Sequence, residues 1–294
     1  MTSWLIAVPA WGESYVEQFC AAALPALQRA IKALQKVRNI DVRLIIHTDQ
    51  PERILAATSA LRTHVCPVPA GASNFDRMSQ AHREVIDAAL LQDVVVPLTA
   101  GAVISEQTLV YCAGVLDDPQ KKLVLCAVPR VLDERQIIDS GDAQALMDWG
   151  WAHRHPMVDD CTWPHGKSVD LSRVYFVSRD GRVCMHQCMP HPLAIRKDER
   201  SICFTPTVDA NLFMGYTPVE MHPVLGCEKL AVVKLTPADR DHALSGQTME
   251  ERVRAGQVRI PSGNQTWSMG LRVMLRGAPG DCGDGPFIGA IRGG

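Results

Sequence analysis

The sequence lacks a long apolar run, a strong excess of charge of either sign and a basic amino-terminal leader. No stretch approaches the roughly 18 apolar residues that a membrane-spanning helix requires. The formal net charge of −2 gives no general attraction to nucleic acid or anionic lipid, although it leaves room for a local basic patch. The apolar opening, Met1 to Pro9, soon reaches Trp11-Gly12-Glu13 and predicts a first strand, not a signal peptide. We therefore expect a cytoplasmic protein without a membrane span.

The chain also lacks internal repeats, a clean linker and a dense cysteine framework. Its 294 residues, 47% hydrophobic and 21% charged, are typical of a folded protein with one large core or two modest ones. The ten cysteines are thinly spread, and Cys20, Cys112 and Cys126 fall within apolar helix or strand patterns. We expect most cysteines to be reduced core residues.

Strand and helix patterns alternate through the first 130 residues. The five apolar strand patterns are Ser3–Pro9, Val42–Thr48, His64–Val68, Asp93–Leu98 and Leu123–Val128. This order predicts an α/β fold with an open, mostly parallel sheet and helices on both faces. Right-handed crossovers place all strand-to-helix turns on one edge, where ligands bind in such sheets. The turns Pro9–Glu13, Thr48–Glu52, Pro69–Asn74 and Thr99–Ser105 are therefore expected to share a rim.

The segment from Ser73 to Gln107 is central to this prediction. Phe75, Met78, Val85, Ile86 and Ala89 recur at helical spacing and predict one apolar face. His82 lies on that face, where an unpaired polar group would cost roughly 1–3 kcal/mol. Two interpretations remain open: a structural hydrogen bond to a loop carbonyl, or a contact with a ligand at the rim.

Beyond Arg130 the pattern loosens into an irregular α+β half that we expect to pack onto the sheet. Asp142–His153 predicts a helix, and Asp180-Gly181 predicts a hairpin between two short strands. Further patterns predict a helix at Val208–Tyr216, a strand at Lys229–Leu235 and a charged helical region at Pro237–Gln257. The expected division is 1–130, 131–275 and a glycine-rich tail at 276–294.

Several local motifs resemble those of bacterial proteins with the GT-A, or nucleotide-sugar glycosyltransferase, fold. They are Pro9–Val16, Met78–Arg83, the strand ending at Leu98, Ser105–Leu109, His191–Leu193 and Thr207–Ala210. The resemblance covers most of residues 4 to 215. It implies a Rossmann-like sheet whose rim holds a nucleotide-diphosphate sugar, while the irregular half holds an unidentified acceptor.

The resemblance implies a set of donor-binding residues on the rim. They are Pro9, Trp11, Gly12, Glu13, His82, Thr99, Ala100, Gly101 and Arg130. Gly12 beside Trp11 would let the backbone approach a ligand while the indole packs on a base or sugar; an ordinary turn with a core tryptophan is the alternative. The small residues from Thr99 to Gly101 suit a backbone cradle for a diphosphate, or simply a tight turn.

The sequence departs from the GT-A pattern at one important place. Such enzymes commonly carry an Asp-x-Asp signature after the fourth strand, where this chain reads Thr99-Ala100-Gly101-Ala102. Divalent hard cations prefer anionic oxygen ligands, which this turn does not offer. No cofactor is therefore assigned: the donor's charge would need arginine, lysine, backbone N–H groups or a displaced metal, or else activity has been lost.

The resemblance places the catalytic or substrate-positioning carboxylate at Asp209, which would take a proton from the acceptor hydroxyl. An aspartate at a helix start is also a common cap. Trp163, Lys167 and His191 are the expected acceptor-side residues, with a solvated loop as the alternative for the first two.

Cys184, His186, Cys188 and His191 lie within eight residues of each other and suggest zinc. Their alternating spacing fits a half-buried strand better, so no metal site is assigned. The predicted function is glycosyl transfer from a nucleotide sugar, of the hexosyl or a related type. A non-catalytic binding or scaffold protein of the same fold is the alternative.

Overall fold

The computed structural model describes residues 2–133, 141–169, 173–177, 183–187, 191–200, 215–224, 230–238, 243–257 and 271–276. The strands are β1 (Ser3–Pro9), β2 (Asp41–His47), β3 (Thr63–Cys66), β4 (Val94–Pro97), β5 (Ala102–Ile104), β6 (Leu123–Cys126), β7 (Arg130–Leu132), β8 (Thr162–Trp163), β9 (Arg173–Val177), β10 (Val183–Gln187), β11 (His191–Arg196), β12 (Met221–Pro223), β13 (Val232–Thr236) and β14 (Leu271–Arg276).

The helices are α1 (Glu13–Gln18), α2 (Leu24–Val37), α3 (Pro51–Ala57), α4 (Asn74–Ala88), α5 (Thr108–Leu116), α6 (Ala143–Ala152), α7 (Pro156–Asp160) and α8 (Met249–Arg254). None of the helices within these ranges combines the length and apolar character that crossing a membrane would require.

The main sheet has seven strands in the order β12-β6-β11-β4-β1-β2-β3. Every neighbouring pair is parallel except those made by β11, which runs antiparallel to both β4 and β6. The prediction of an open, mostly parallel α/β sheet is therefore confirmed. The sequence did not indicate β11, which separates the fourth predicted strand from the fifth. Strands β11 and β12 come from the second half of the chain. The expected division into 1–130, 131–275 and 276–294 stays a prediction.

Helices cover both faces of this sheet, as expected. Leu5 and Ala7 of β1 share one hydrophobic cluster with Val85 of α4. The alternate residue Ile6 shares a second cluster with Leu27 of α2. Alternation along a strand sends successive side chains to opposite faces, so each face of β1 is buried under a different helix layer.

A π-helical turn at Phe19–Ala23 joins α1 to α2. Pro25 lies in the first turn of α2, where its missing N–H costs little. An extra residue per turn just before a proline spares its ring a clash with the preceding carbonyls. The chain therefore passes from α1 to α2 through a π turn just before Pro25.

The helix α4 begins with a capping box, in which Ser73 and Asp76 each bond to the other's backbone N–H. Its predicted apolar face is confirmed at Val85, Ile86 and Ala89, which are buried. Phe75 is 55% exposed, and its predicted place on the buried face was wrong.

The described residues also form two smaller sheets, one of which includes β5 from the first half of the chain. One has the order β5-β13-β7, and the other has the order β14-β10-β9-β8. Residues of α6, β9 and β13 belong to the same cluster as α4 and one face of β1, so the second half shares a core with the first. The helix α5 begins at Thr108, after β5 and a short turn.

The predicted helix at Asp142–His153 is confirmed, with Asp142 as its amino-terminal cap. The strands on either side of Asp180-Gly181 pair antiparallel, although that turn lies outside the described residues. Most of the predicted helix Val208–Tyr216 and the residues after 276 also lie outside them. In the region Pro237–Gln257 the described helix is the short α8.

Candidate functional site

The sheet order contains a topological switch point between β1 and β4. The connection from β1 leads to β2 on one side, and the chain then returns from β3 to β4 on the other side of β1. Open α/β sheets bind ligands in the crevice that such a reversal opens at the carboxyl ends of the strands. The turn after Pro9 and the turn after Pro97 border this crevice.

At the β1 end, polar groups reach the surface. Gly12 has a φ of 76°, which favours glycine, and its N–H donates to both carboxylate oxygens of Asp49 at 3.0 and 3.1 Å. Asp49 follows β2 and is exposed. The predicted donor residues Trp11 and Gly12 are half-buried, whereas Pro9 is buried as the last residue of β1. Their roles stay predictions.

Glu13 is also exposed, and two cationic or polar side chains hold it. Arg53 Nη1 donates to one carboxylate oxygen at 2.6 Å, and Gln50 Nε2 donates to the other at 2.9 Å. The hydrogen bond from Arg53, with that from Gln50, lowers the pKa of Glu13. A negatively charged Glu13 therefore ties α1 to the start of α3, beside Asp49.

A buried histidine ends β2. The Nε2–H of His47 donates to Glu84 Oε2 of α4 at 3.0 Å, while the Glu84 carboxylate remains partly open to solvent. Cys66 ends β3, and burial raises the pKa of its thiol, followed by the nearby charge of Glu84. Sequence analysis did not select His47, although a histidine at the end of an apolar strand on the expected rim was a usable signal.

The β4 end is held by two other buried histidines. His82 Nε2 donates to the carbonyl of Leu98 at 3.0 Å, and His191 Nε2 donates to the carbonyl of Pro97 at 2.8 Å. A carbonyl oxygen only accepts, so each of these ring nitrogens carries its proton. His82 is 1% exposed, which favours the structural interpretation of this residue. Its donor-binding role and the acceptor-side role of His191 stay predictions.

Gly101 lies in tight packing. A Cβ on Gly101 would stand 2.4 Å from Gln18 Oε1 and 2.9 Å from the carbonyl oxygen of Leu235. The N–H of Leu235 also donates to the Gly101 carbonyl at 2.9 Å. The small residue is thus required by protein packing, and Ala100 beside it is buried too. Thr99 is half-buried, so it is the most accessible residue of the proposed cradle.

Strand β13 brings a lysine that sequence analysis missed to this turn. Lys234 pairs with Ala102 of β5 on one side and with Arg130 of β7 on the other. The only signal in the sequence was a lysine within an otherwise apolar strand pattern. Arg130, a predicted donor residue, is half-buried and also borders a small cleft with Tyr175.

The acceptor-side candidates differ in how far they are buried. Trp163 is 7% exposed and lies in the hydrophobic core, which favours a structural role over sugar stacking. Lys167 is exposed. His155, which precedes Trp163 in the chain, is buried, and its ring Nε2–H donates to the carbonyl of Pro237 at 2.9 Å. Asp209, the predicted catalytic residue, lies outside the described residues.

The residues after β4 do not provide the ligands that a divalent cation, as GT-A proteins commonly hold it, would need. The turn from Thr99 to Ala102 offers no carboxylate, and its last three residues are buried. Within the described part of the chain, no group of three or more His, Cys, Asp or Glu side chains could hold a metal ion. Cys184 lies on β10 of the four-stranded sheet, whereas His191 begins β11 of the main sheet. Cys188 lies outside the described residues.

No protein-family model and no curated protein matches the sequence. Among solved structures, the chain is similar to Staphylococcus aureus TarS in complex with UDP, with 16% identity, 47% of this chain and 38% of that chain covered, and a TM-score of 0.34. It is also similar to TarS in complex with UDP-GlcNAc, with 19% identity, 47% and 37% coverage, and a TM-score of 0.33.

A third similar structure is a 4-diphosphocytidyl-2C-methyl-D-erythritol synthase from Anaerococcus prevotii. It shares 14% identity, covers 87% of this chain and 95% of its own, and has a TM-score of 0.36. The chain spans little more than a third of the TarS chains that it matches. Likenesses of this size do not decide what the chain binds or catalyses.

Proposed function

We propose that this chain is a GT-A-like protein that binds a nucleotide-diphosphate sugar and transfers the sugar to an acceptor hydroxyl. The observation that carries the proposal is the switch point between β1 and β4, with its crevice at the carboxyl ends of the strands. The four strands β3, β2, β1 and β4 all end at this edge, which the resemblance of the first turn also selects.

The β1 side of the crevice supplies the groups that a nucleoside needs. Asp49 offers carboxylate oxygens that accept hydrogen bonds from sugar hydroxyls or base N–H groups, and Gly12 allows close approach of the backbone. Trp11 offers an apolar surface for a base or sugar ring. We place the nucleoside here and its diphosphate towards Thr99, the most accessible residue of the turn after β4.

The reaction asks two things of the protein. Negative charge grows on the departing diphosphate as the sugar leaves, and cations or N–H groups stabilise it. The acceptor hydroxyl loses a proton to a base as its oxygen attacks the anomeric carbon. We assign the second task to Asp209, on the resemblance alone, and route no step through a metal because the turn after β4 does not fit one.

The alternative is a non-catalytic protein that keeps the fold and binds nucleotides or sugars. The lack of carboxylates between Thr99 and Ala102 favours it, because enzymes of this fold commonly need them. The two functions differ in turnover, not in donor binding.

Titration calorimetry with a panel of nucleoside diphosphates and their sugars tests both ideas. The panel includes UDP and UDP-GlcNAc, the ligands present in the TarS structures. Binding together with sugar release to an acceptor or to water supports the transferase. Binding without turnover across the panel favours the scaffold, and no binding of any donor contradicts both.

Two variants locate the binding site in the same assay. Asp49→Ala removes the carboxylate beside Gly12, and we expect weaker binding of every nucleotide that the chain recognises. Asp41→Ala is the matched control, since this carboxylate pairs with Arg43 and Arg62 at the opposite end of the same strand. Equal effects of the two substitutions on binding would contradict a binding site at the β1 end.

A further inference from the structure

We propose that Lys234 provides positive charge for the donor's diphosphate, in the place where related folds use a metal ion. The inference rests on the proposed function and deepens it. Lys234 belongs to β13, far along the chain from the rim residues that the sequence pattern selected. Its position follows from the register of the three-stranded sheet.

The register puts Lys234 in one row with Ala102 and Arg130. Lys234 is the pairing partner of both, across the antiparallel β5 and the parallel β7. Residues paired in this way lie roughly 5 Å apart at their Cα atoms, and the side chains of directly paired residues such as Lys234 and Ala102 leave the same face of the sheet. Ala102 closes the turn that follows β4, so the lysine stands beside the expected diphosphate position.

The faces of this small sheet have different surroundings. Val131, Val233 and Leu235 turn to the cluster that includes α6. The opposite face carries Val232, which is buried with Ala102 in the other cluster, and then Lys234, which is half-buried. The apolar packing on this face therefore ends at the half-buried Lys234.

Two features argue against a purely solubilising role. Lysines on sheets are often placed on edge strands, where they discourage pairing with another chain. Lys234 is on the central strand of its sheet, between β5 and β7. In addition, the backbone of the next residue, Leu235, bonds to Gly101 and so fixes the lysine relative to the turn after β4.

The charge balance of the rim agrees with this role. At the β1 end, Arg53 forms an ion pair with Glu13. A diphosphate brings at least two negative charges, and the turn from Thr99 to Ala102 contains neither a cation nor a carboxylate for binding a metal. Lysine binds phosphate as a compact point charge with three donors.

The test compares a nucleoside diphosphate with its nucleoside on the full chain. Calorimetry first identifies a diphosphate that the wild type binds, and then measures Lys234→Gln, Lys234→Arg and the control Lys32→Gln. Lys32 is exposed on α2, so its variant makes the same charge change away from the site. We expect Lys234→Gln to weaken diphosphate binding roughly ten-fold or more, because hydrogen bonds to charged groups are strong.

The nucleoside should bind Lys234→Gln as it binds the wild type, and Lys234→Arg should restore most of the lost affinity. Inorganic pyrophosphate, used as a competitor, should displace the diphosphate less well from Lys234→Gln. If the variant unfolds early in a thermal melt, Lys234→Met keeps the apolar stem and gives the same comparison.

Three outcomes overturn the inference, and they are distinguishable. Unchanged diphosphate binding by Lys234→Gln rejects it and leaves the proposed function standing. An equal loss for nucleoside and diphosphate assigns Lys234 a structural role. Failure of the wild type to bind any diphosphate rejects the proposed function, and the inference with it.

Discussion

The two strand ends that border the switch point are built differently. At the β1 end, Gly12 and Asp49 meet in a polar, accessible turn. At the β4 end, the carbonyls of Pro97 and Leu98 are engaged by buried histidines, and Gly101 is packed against other parts of the chain. One end resembles a binding surface and the other resembles a core.

The difference changes how small residues in a rim turn are interpreted. Ala100 and Gly101 suggested room for a ligand, yet Gln18 and Leu235 occupy the space beside Gly101. We therefore expect substitutions at the buried residues of the β4 end, such as His82 and Gly101, to change mainly stability, whereas substitutions at the β1 end change mainly binding. The predictions below test that division, beginning with the largest effect on stability.

Replacing His82 by alanine should destabilise the protein by about 2–4 kcal/mol. The substitution leaves a cavity in the α4 packing and removes the donor to the buried Leu98 carbonyl. Denaturant unfolding measures the change. His64→Ala is the control, because this histidine of β3 is exposed, and it should unfold like the wild type. Similar curves for both variants would contradict a core-like β4 end.

Gly101→Ala should destabilise by about 1–3 kcal/mol, the usual range for overpacking. Its Cβ would meet the backbone oxygen of Leu235, which cannot rotate away as the Gln18 side chain can. Gly114→Ala is a matched control, because its Cβ meets nothing within 4 Å and it lies within α5. That variant should be more stable by about 0.5–1 kcal/mol. A neutral Gly101→Ala would contradict the tight packing at this position.

The largest contribution to acid sensitivity should come from a third region, away from both strand ends. Arg200 Nη2 donates to Glu220 at 2.5 Å and, together with Thr217, lowers the pKa of Glu220 to about 2. A carboxyl group with a lowered folded-state pKa stabilises the fold above its ordinary pKa and loses that contribution as pH falls.

The loss should therefore develop between the ordinary pKa of 4.5 and about 2. Stability of Glu220→Gln, measured by denaturant at each pH, should depend less on pH across this window. An unchanged profile would show that the contact with Arg200 does not form in solution.

The smallest effect on stability is expected for Asp49→Ala, within about 0.5 kcal/mol of the wild type, as for most exposed substitutions. The same variant should weaken nucleotide binding, because the carboxylate beside Gly12 is lost. Thermal melts and calorimetry on one sample measure both quantities. A large loss of stability with unchanged binding would reverse the comparison between the two strand ends.

Local patterns were sufficient to predict much of the fold. The strand β1 has the predicted bounds Ser3–Pro9, and the five predicted strands all lie in the main sheet. The position of α6 follows from a short pattern, because helical periodicity acts over only a few residues. His82 was correctly placed on the buried face of α4, with the carbonyl contact among its two interpretations.

The same patterns did not predict the partners across the sheets. The antiparallel β11 lies between β4 and β6, and the side chain of its first residue, His191, donates a hydrogen bond to the carbonyl of Pro97. Nothing local to a strand specifies which distant strand will pair with it. For the same reason Lys234 was missed, since its place beside Ala102 exists only through the pairing of β13.

The sequence by itself determined the α/β order, the parallel strands and the helices that bury them, since each depends on periodicity within a short window. Tertiary structure decided which strand end is open and which is filled. That outcome depends on contacts between residues distant along the chain, such as Gln18 and Leu235 closing on Gly101. Such contacts arise from the packing of the whole core, which no single segment encodes.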